Sequence, residues 1–423
     1  MKKSVISLAV LAATGLATTT VVAGNLGKEL QNNRFVIEYK KGSGDAVREA
    51  ITAAGASIKM ELPSYNSIAI EVNSLEGMSA LRKNSNIASV EIDPVRQTIP
   101  VGNIVQLQNH TNDPLMSDPS LYGIGMVQAD QIHEAAFGSG VKVCVIDTGY
   151  DLGHEDLPAN VDGTNDPGAG AWNDFNVHYH GTHVAGTIAA RGNNGVGVTG
   201  VISNSETTVP MFISKVFSNS GGFAFSTGLV GGLEACIDAG ANVVNMSLGG
   251  SFSSKLEQRA FERARKAGVL LIAAAGNDGI STHSYPASYD SVMSVAAVDS
   301  GKNHAAFSQT TSQVEVAAPG VGVGSTVPRN VFGGTGGYAV LSGTSMASPH
   351  VAGVAALVWS HYPHCSNYDI RNALKASAED LGDAGKDYQY GAGLVQAKAM
   401  FDYLATNGCS GNICKGNECD PAK

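Results

Sequence analysis

From residue 141 onward the chain alternates short, almost wholly apolar runs with longer segments whose apolar positions recur at helical spacing. The runs 141–146, 211–217, 243–246, 269–274 and 292–298 contain few polar residues, the pattern of parallel strands covered on both faces. Between them, 182–190, 227–239 and 256–267 read as helices. The last two are followed by Gly240 and Gly268, which tolerate the left-handed backbone that closes a helix. Strand and helix in alternation predict an α/β fold, a doubly wound, mostly parallel sheet with helices on both faces. A further helix over 346–359 carries Pro349 near its first turn, where a missing N–H is tolerated. Its Ala352, Gly353, Ala355 and Ala356 are small enough for packing deep in the centre.

A different pattern precedes this one. Residues 34–95 read as strand 34–40, helix 45–53, two strands around the Pro63-Ser64 turn, helix 75–82 and strand 87–92. That βαββαβ order predicts a small α+β, ferredoxin-like module. The polar stretch 97–119 lacks periodicity and is expected to be a linker. The last residues, 408–423, form a Cys-rich tail. At the start, Lys2 and Lys3 precede an apolar run over 5–17, with small residues near Ala23. This predicts a signal peptide over 1–23 and a secreted product. The run is shorter than the ~20 residues a spanning helix needs, so no membrane anchor is expected.

Composition narrows the function. Lys and Arg total 27 against 37 Asp and Glu, a formal net charge of -10, which argues against nucleic acid as a partner. With 15% charged and 43% hydrophobic residues, the chain is globular rather than disordered. Export permits disulfides, and six cysteines can pair in 15 ways. Cys144, in a predicted strand, and Cys236, in a predicted helix, read equally as buried thiols or as bridge partners.

In open α/β sheets the reactive groups gather at the carboxyl ends of the strands. Asp147 ends the first run in Val145-Ile146-Asp147-Thr148-Gly149. His180 opens a helix in His180-Gly181-Thr182-His183-Val184-Ala185-Gly186, Asn277 follows Ala274-Ala275-Gly276, and Ser345 opens a helix in Gly343-Thr344-Ser345-Met346-Ala347-Ser348-Pro349. A serine hydroxyl is a poor nucleophile until a base takes its proton. His180 can be that base, with Asp147 fixing its tautomer. The helix N-terminus at Ser345 and the amide of Asn277 can bind a developing oxyanion.

These segments, in the chain order Asp, His, Ser, resemble the subtilisin-like serine proteases. The resemblance covers about 121–403 and implies a serine endopeptidase acting through an acyl-enzyme on protein and peptide substrates. It implies a peptidase domain over 120–407 and a processing region over 96–119. Residues 34–95 are then an inhibitory propeptide that also serves as an intramolecular chaperone, and the product is a monomer. Ser247-Leu248-Gly249 resembles the strand that pairs with an extended substrate; Gly221 and Gly222, with the residues to Ala224, would form the opposing edge. Together with Ala274, Ala275 and Gly276 they leave room for a large apolar side chain and imply broad specificity. The resemblance also implies structural calcium held by Asp156, Asn194 and the carbonyls of Val196 and Val198, with Arg191 or Gly192 supplying a further carbonyl. It implies a Cys365–Cys409 bridge, after which Cys414 and Cys419 can close the tail.

Two rival readings are weaker. The run His178-Tyr179-His180-Gly181-Thr182-His183 has the ligand spacing of a metallo-β-lactamase-type metal site, but Thr182 stands where that pattern carries Asp, and Ser345 and Asn277 would have no role. An inactive scaffold is disfavoured because all four chemical positions carry competent residues.

Overall fold

The computed structural model describes residues 33–98, 101–107, 119–133, 140–203, 210–333 and 337–409. The expected signal peptide, part of the 96–119 stretch, and Cys414 and Cys419 lie outside them. Seven strands build the central sheet in the order Val314–Pro319, Val292–Val298, Leu270–Ala274, Val243–Met246, Val143–Asp147, Met211–Lys215, Asp162–Asn165. All neighbours run parallel. The doubly wound α/β expectation therefore holds.

Alternation along one strand shows how both faces are covered. Val143 and Val145 point into the apolar layer that holds the helices Tyr179–Ala189 and Thr344–His361. Cys144 and Ile146 point into the opposite layer, against Ser226–Asp238 and Lys255–Lys266. Each buried side chain of this size contributes roughly 1.5–3 kcal/mol. Helix Thr344–His361 is covered nearly all round. Its small residues make that possible, since a Cβ on Gly353 would stand 2.7 Å from the Cβ of Val201. Two disulfides form among the described residues. Cys144 and Cys236 are bridged across 92 residues, joining the strand Val143–Asp147 to the helix Ser226–Asp238, and Cys365 is bridged to Cys409 across 44.

The edge strand Asp162–Asn165 has no apolar residue and is partly exposed, so its sequence carries no strand pattern. Its place is set by pairing with Met211–Lys215. The region expected as linker also departs from expectation. Val95–Thr98 and Val101–Gln106 are strands, each held by partners elsewhere in the chain rather than by a pattern of its own.

Residues 34–92 form an antiparallel sheet in the order Ser57–Leu62, Ser67–Glu71, Arg34–Tyr39, Ile87–Ile92. Their own core is built from Ile37, Val47, Ile51, Ile68, Ile70 and Leu81. This module docks on two helices of the larger unit by capping them. Asp93 accepts from the Thr227 N–H (3.1 Å), the Ser226 hydroxyl (2.9 Å) and the Thr227 hydroxyl (2.6 Å). Glu91 accepts from the N–H groups of Lys255 and Leu256, both at 3.0 Å, and from the Ser254 hydroxyl at 3.0 Å. The first N–H groups of a helix lack intrahelical partners and favour anions. Two carboxylates of one unit thus close two helices of the other.

Glu91→Ala is expected to weaken this docking by about 1 kcal/mol, read as a lower urea midpoint for separation of the module in the intact chain. Glu91→Gln, which keeps an acceptor, should retain most of the stability. An unchanged midpoint in the alanine variant would remove the capping account.

Candidate active site

Asp147 and His180 meet beyond the carboxyl end of the central strand. His180 Nδ1 lies 2.9 and 3.0 Å from the two carboxylate oxygens of Asp147, and both side chains are fully buried. With a carboxylate accepting, Nδ1 carries the hydrogen and Nε2 is left as the basic nitrogen. That Nε2 is buried and makes no hydrogen bond among the described residues. Thr148 sets the geometry. Its N–H donates to Asp147 Oδ1 (2.7 Å), and its hydroxyl donates to the His178 carbonyl (2.9 Å) and accepts from the Gly181 N–H (2.8 Å). His183 lies on the same helix but is turned away, its Nε2 against the carbonyls of Val323 and Ala339. Burial pushes its pKa down to about 3, so it stays neutral and serves packing.

Ser345 is the second residue of the helix Thr344–His361. Pro349, four residues on, has no N–H to give the Ser345 carbonyl. The Ser247 hydroxyl donates to that carbonyl instead, at 2.8 Å, while Ser345 Oγ donates to the Ser247 carbonyl at 3.2 Å. Asn245 extends the link, donating to Ser247 Oγ (3.1 Å) and accepting from Ser348 Oγ (2.7 Å). Asn277 approaches from the neighbouring strand end. Its Oδ1 accepts from the Thr344 N–H (2.9 Å) and the Thr344 hydroxyl (2.7 Å), which orients its Nδ2 away from Thr344.

A three-stranded ribbon runs beside this cluster. Val95–Thr98 lies between Phe223–Phe225 and Leu248–Gly249, antiparallel to both. The edge paired here is Phe223–Phe225, which overlaps the expected stretch to Ala224 at Phe223 and Ala224. Gly221 and Gly222 precede it with φ of 83° and 54°, in a turn where Gly221 bridges to Ser218. On the other side, Val101–Gln106 pairs with Tyr338–Ser342, Val101 facing Ser342, three residues before Ser345. Ala274, Ala275 and Gly276 sit together at the end of Leu270–Ala274; the Gly276 N–H donates to the Thr344 hydroxyl at 3.2 Å.

The four residues expected to hold calcium are brought together. Asp156 is fully buried; one carboxylate oxygen accepts from Asn194 Nδ2 (2.7 Å), the other from the Val198 N–H (2.7 Å). Asn194 Oδ1 accepts from the Val196 N–H at 3.0 Å. The buried Asp156 carboxylate and the Asn194 amide oxygen are hard oxygens of the kind calcium takes. Here the carboxylate is satisfied by nitrogen donors, and no cluster of three or more His, Cys, Asp or Glu ligands exists among the described residues.

Lys215 was not singled out by its sequence, although a lysine inside an apolar run is itself a signal. It stands beside Asp147 in the parallel register, fully buried, with its ammonium donating to the Thr148 carbonyl. Burial pushes its pKa down from 10.5 to about 8, against the opposing pull of Asp147 and Asp174.

A parallel sheet carries a buried aspartate–histidine pair at one strand end and a serine at the start of a buried helix, and the sequence matches the subtilase family over residues 138–393; the chain belongs to that family and is a serine endopeptidase. It is similar to subtilisin DY of Bacillus licheniformis, 44% identical over 283 residues that cover 66% of this chain and 97% of that one. Similarity to subtilisin E of Bacillus subtilis (strain 168) is 34% over 394 residues, 91% of this chain and 94% of that one. Among solved structures, a psychrophilic subtilisin-like protease, Apa1, from Pseudoalteromonas sp. AS-11 aligns with a TM-score of 0.59 at 33% identity, covering 68% of this chain and 98% of the other. Fervidolysin from Fervidobacterium pennivorans aligns with 0.73 at 28% identity, covering 88% and 61%.

The depressed pKa of Lys215 makes stability depend on pH in a defined direction. Between about pH 8 and 10.5 the unfolded chain holds this proton and the folded chain does not, so stability rises with pH across that window. The difference in unfolding free energy between wild type and Lys215→Met should therefore increase from pH 8 to 10. A flat or falling difference in chemical denaturation would show that the ammonium is not held in this way.

Proposed function

We propose that the chain is made as a secreted, self-processing precursor whose peptidase acts through Asp147, His180 and Ser345. Ser345 Oγ attacks the carbonyl carbon of the scissile bond and its proton passes to His180 Nε2. The imidazolium is stabilised by Asp147. The same proton then goes to the leaving nitrogen as the C–N bond breaks, and water, deprotonated by His180, hydrolyses the acyl ester. Asn277 Nδ2 and the Ser345 N–H bind the oxyanion. The hydrogen bond that fixes the His180 tautomer and the anchoring of Asn277 through its Oδ1 both support these roles.

The observation that carries the reading is the path of the chain around Ser345. Val95–Thr98 is laid between two strand edges as an extended peptide, and Val101–Gln106 is held by the strand that leads into Ser345. A substrate bound by main-chain pairing takes this form. The module at 34–95 is then the propeptide, inhibiting by occupation of the cleft and assisting the folding of a parallel sheet rich in long-range contacts. The small residues Gly249, Ala274, Ala275 and Gly276 support a cleft of broad specificity that accepts large apolar side chains. The chain acts on proteins and peptides as a monomer. No helix among the described residues is long and apolar enough to cross a membrane.

Subtilases generally bind structural calcium, and the loop closed on Asp156 is the candidate here. Asp156, Asn194 and the carbonyls of Val196 and Val198 would hold the ion, which would order the loop without entering the reaction.

Ser345→Ala should accumulate as a folded precursor of signal-cleaved length, whereas wild type separates into the module and a mature chain beginning between Arg96 and Pro119. If the alanine variant, made in a host without other extracellular proteases, is cut at the same bond, self-cleavage is refuted. Asn277→Ala should lower kcat by about 10²–10³ with KM nearly unchanged; that magnitude is the one known for this donor in subtilisin itself.

For calcium, saturation to about 100 times the Kd should stabilise the folded chain by about 2.7 kcal/mol. Chelation should lower Tm and speed autolysis, and Asp156→Ala should abolish the calcium-dependent part. Equal Tm with chelator and with excess calcium would remove the site.

A further inference from the structure

Among the described residues Arg96 is the largest side chain that is fully buried. It belongs to the segment laid across the cleft, and a guanidinium so placed needs a partner. Its Nε donates to one oxygen of Glu257 at 3.0 Å and one terminal nitrogen donates to the other at 2.5 Å. The same nitrogen donates to the Phe252 carbonyl at 2.9 Å, and the remaining nitrogen to the carbonyl of Val95 at 2.9 Å. Glu257 is itself fully buried, and its second oxygen also accepts from the Tyr289 hydroxyl at 2.8 Å. The pocket wall is Gly250, where a Cβ would collide with the Val95 carbonyl and stand 3.0 Å from the guanidinium.

Glu257, Tyr289, Phe252 and Gly250 belong to the peptidase unit, while Arg96 belongs to the crossing segment. Departure of that segment leaves a buried carboxylate without its cation, in a pocket shaped for a planar fork. We propose that this pocket is an acidic subsite which selects an arginine side chain in extended peptide substrates, three residues to the amino side of the acyl residue. The position follows from the pairing register. Gln97 faces Gly249 and Thr98 faces Leu248, so the next residue of any peptide bound alike faces Ser247, whose carbonyl accepts from Ser345 Oγ. Counting three residues back from there reaches the place of Arg96. Lysine is a poorer fit, because its ammonium is a compact point charge without the planar fork that matches a carboxylate through two parallel N–H groups.

This subsite rests on the peptidase reading above, and the test separates the two. N-acetylated Val-X-Gln-Thr-Phe p-nitroanilides, with X as arginine, lysine or norleucine, are hydrolysed by enzyme matured from the full chain. The kcat/KM for arginine should exceed that for norleucine by about 10- to 100-fold, with lysine between. Glu257→Gln should bring the arginine-to-norleucine ratio close to one. Because the ratio is read within one preparation, incomplete folding of the variant does not alter it. If the variant yields no folded enzyme, the wild-type ratio decides alone. A wild-type ratio near one overturns the subsite and leaves the peptidase standing. A ratio unchanged by Glu257→Gln assigns the arginine preference elsewhere and also overturns it. Failure to cleave any of the peptides, with no labelling of Ser345 by a serine-directed acylating reagent, removes the peptidase reading and the subsite with it.

Discussion

A helix buried on every side is the constraint on which the rest of the structure depends. Thr344–His361 runs through the interior, and its small residues, Ala347, Ala352, Gly353, Ala355 and Ala356, let neighbouring segments approach it closely between its larger apolar side chains. Packing at crystal-like density gives such a helix one position. Ser345, on its first turn, is therefore placed by the whole core rather than by a surface loop. Asp147 is fixed by the same means, at the end of a strand whose side chains are alternately committed to opposite layers. A reactive group on a rigid support loses little to misalignment, which is where much of the advantage of a preorganised site arises.

Burial on this scale creates polar debts that must be met locally. The proline that spares the helix one N–H leaves a carbonyl at the most sensitive residue of the chain, and the hydroxyl of Ser247 meets it. Asn245 and Ser348 then satisfy the groups next in line. The result is a hydrogen-bonded seam between the strand Val243–Met246 and the serine helix. One small polar cluster thus locks the segment Ser247–Gly249 to Ser345, so that a chain paired with Leu248–Gly249 is held in a fixed register to Ser345 by main-chain geometry.

The parts visible in the sequence were those with strong local pattern. Both-faces-buried strands such as 292–298 and the helices bounded by Gly240 and Gly268 stand out because hydrophobic period and punctuation agree. Asp147 stands out because it ends a buried strand, and His180 and Ser345 because each opens a helix. Asp162–Asn165, with no apolar residue, has no such pattern and becomes a strand only by pairing. Val95–Thr98 looks like linker for the same reason. Glu257 reads as an ordinary acidic residue in the first turn of a helix. Its burial against Arg96, 161 positions earlier, is a tertiary fact that no local window contains. Lys215 and Asn245 were nearer to legible, being polar residues inside apolar runs, where burial obliges a partner.

The caps at the starts of Ser226–Asp238 and Lys255–Lys266 come from another part of the chain, and this has a consequence in time rather than in space. While Glu91 and Asp93 are attached, their contacts lower the free energy of the assembled state and are available during folding. If the module is cut away, as proposed above, the native basin gives up those contacts, whereas the unfolded peptidase chain keeps nearly the same free energy. The equilibrium margin shrinks with no change in the enzyme's own covalent structure. Persistence of the fold without the module would then depend on the height of the unfolding barrier, because the caps that Glu91 and Asp93 supply would no longer be at hand on refolding. Such a protein has a lifetime more than it has a stability.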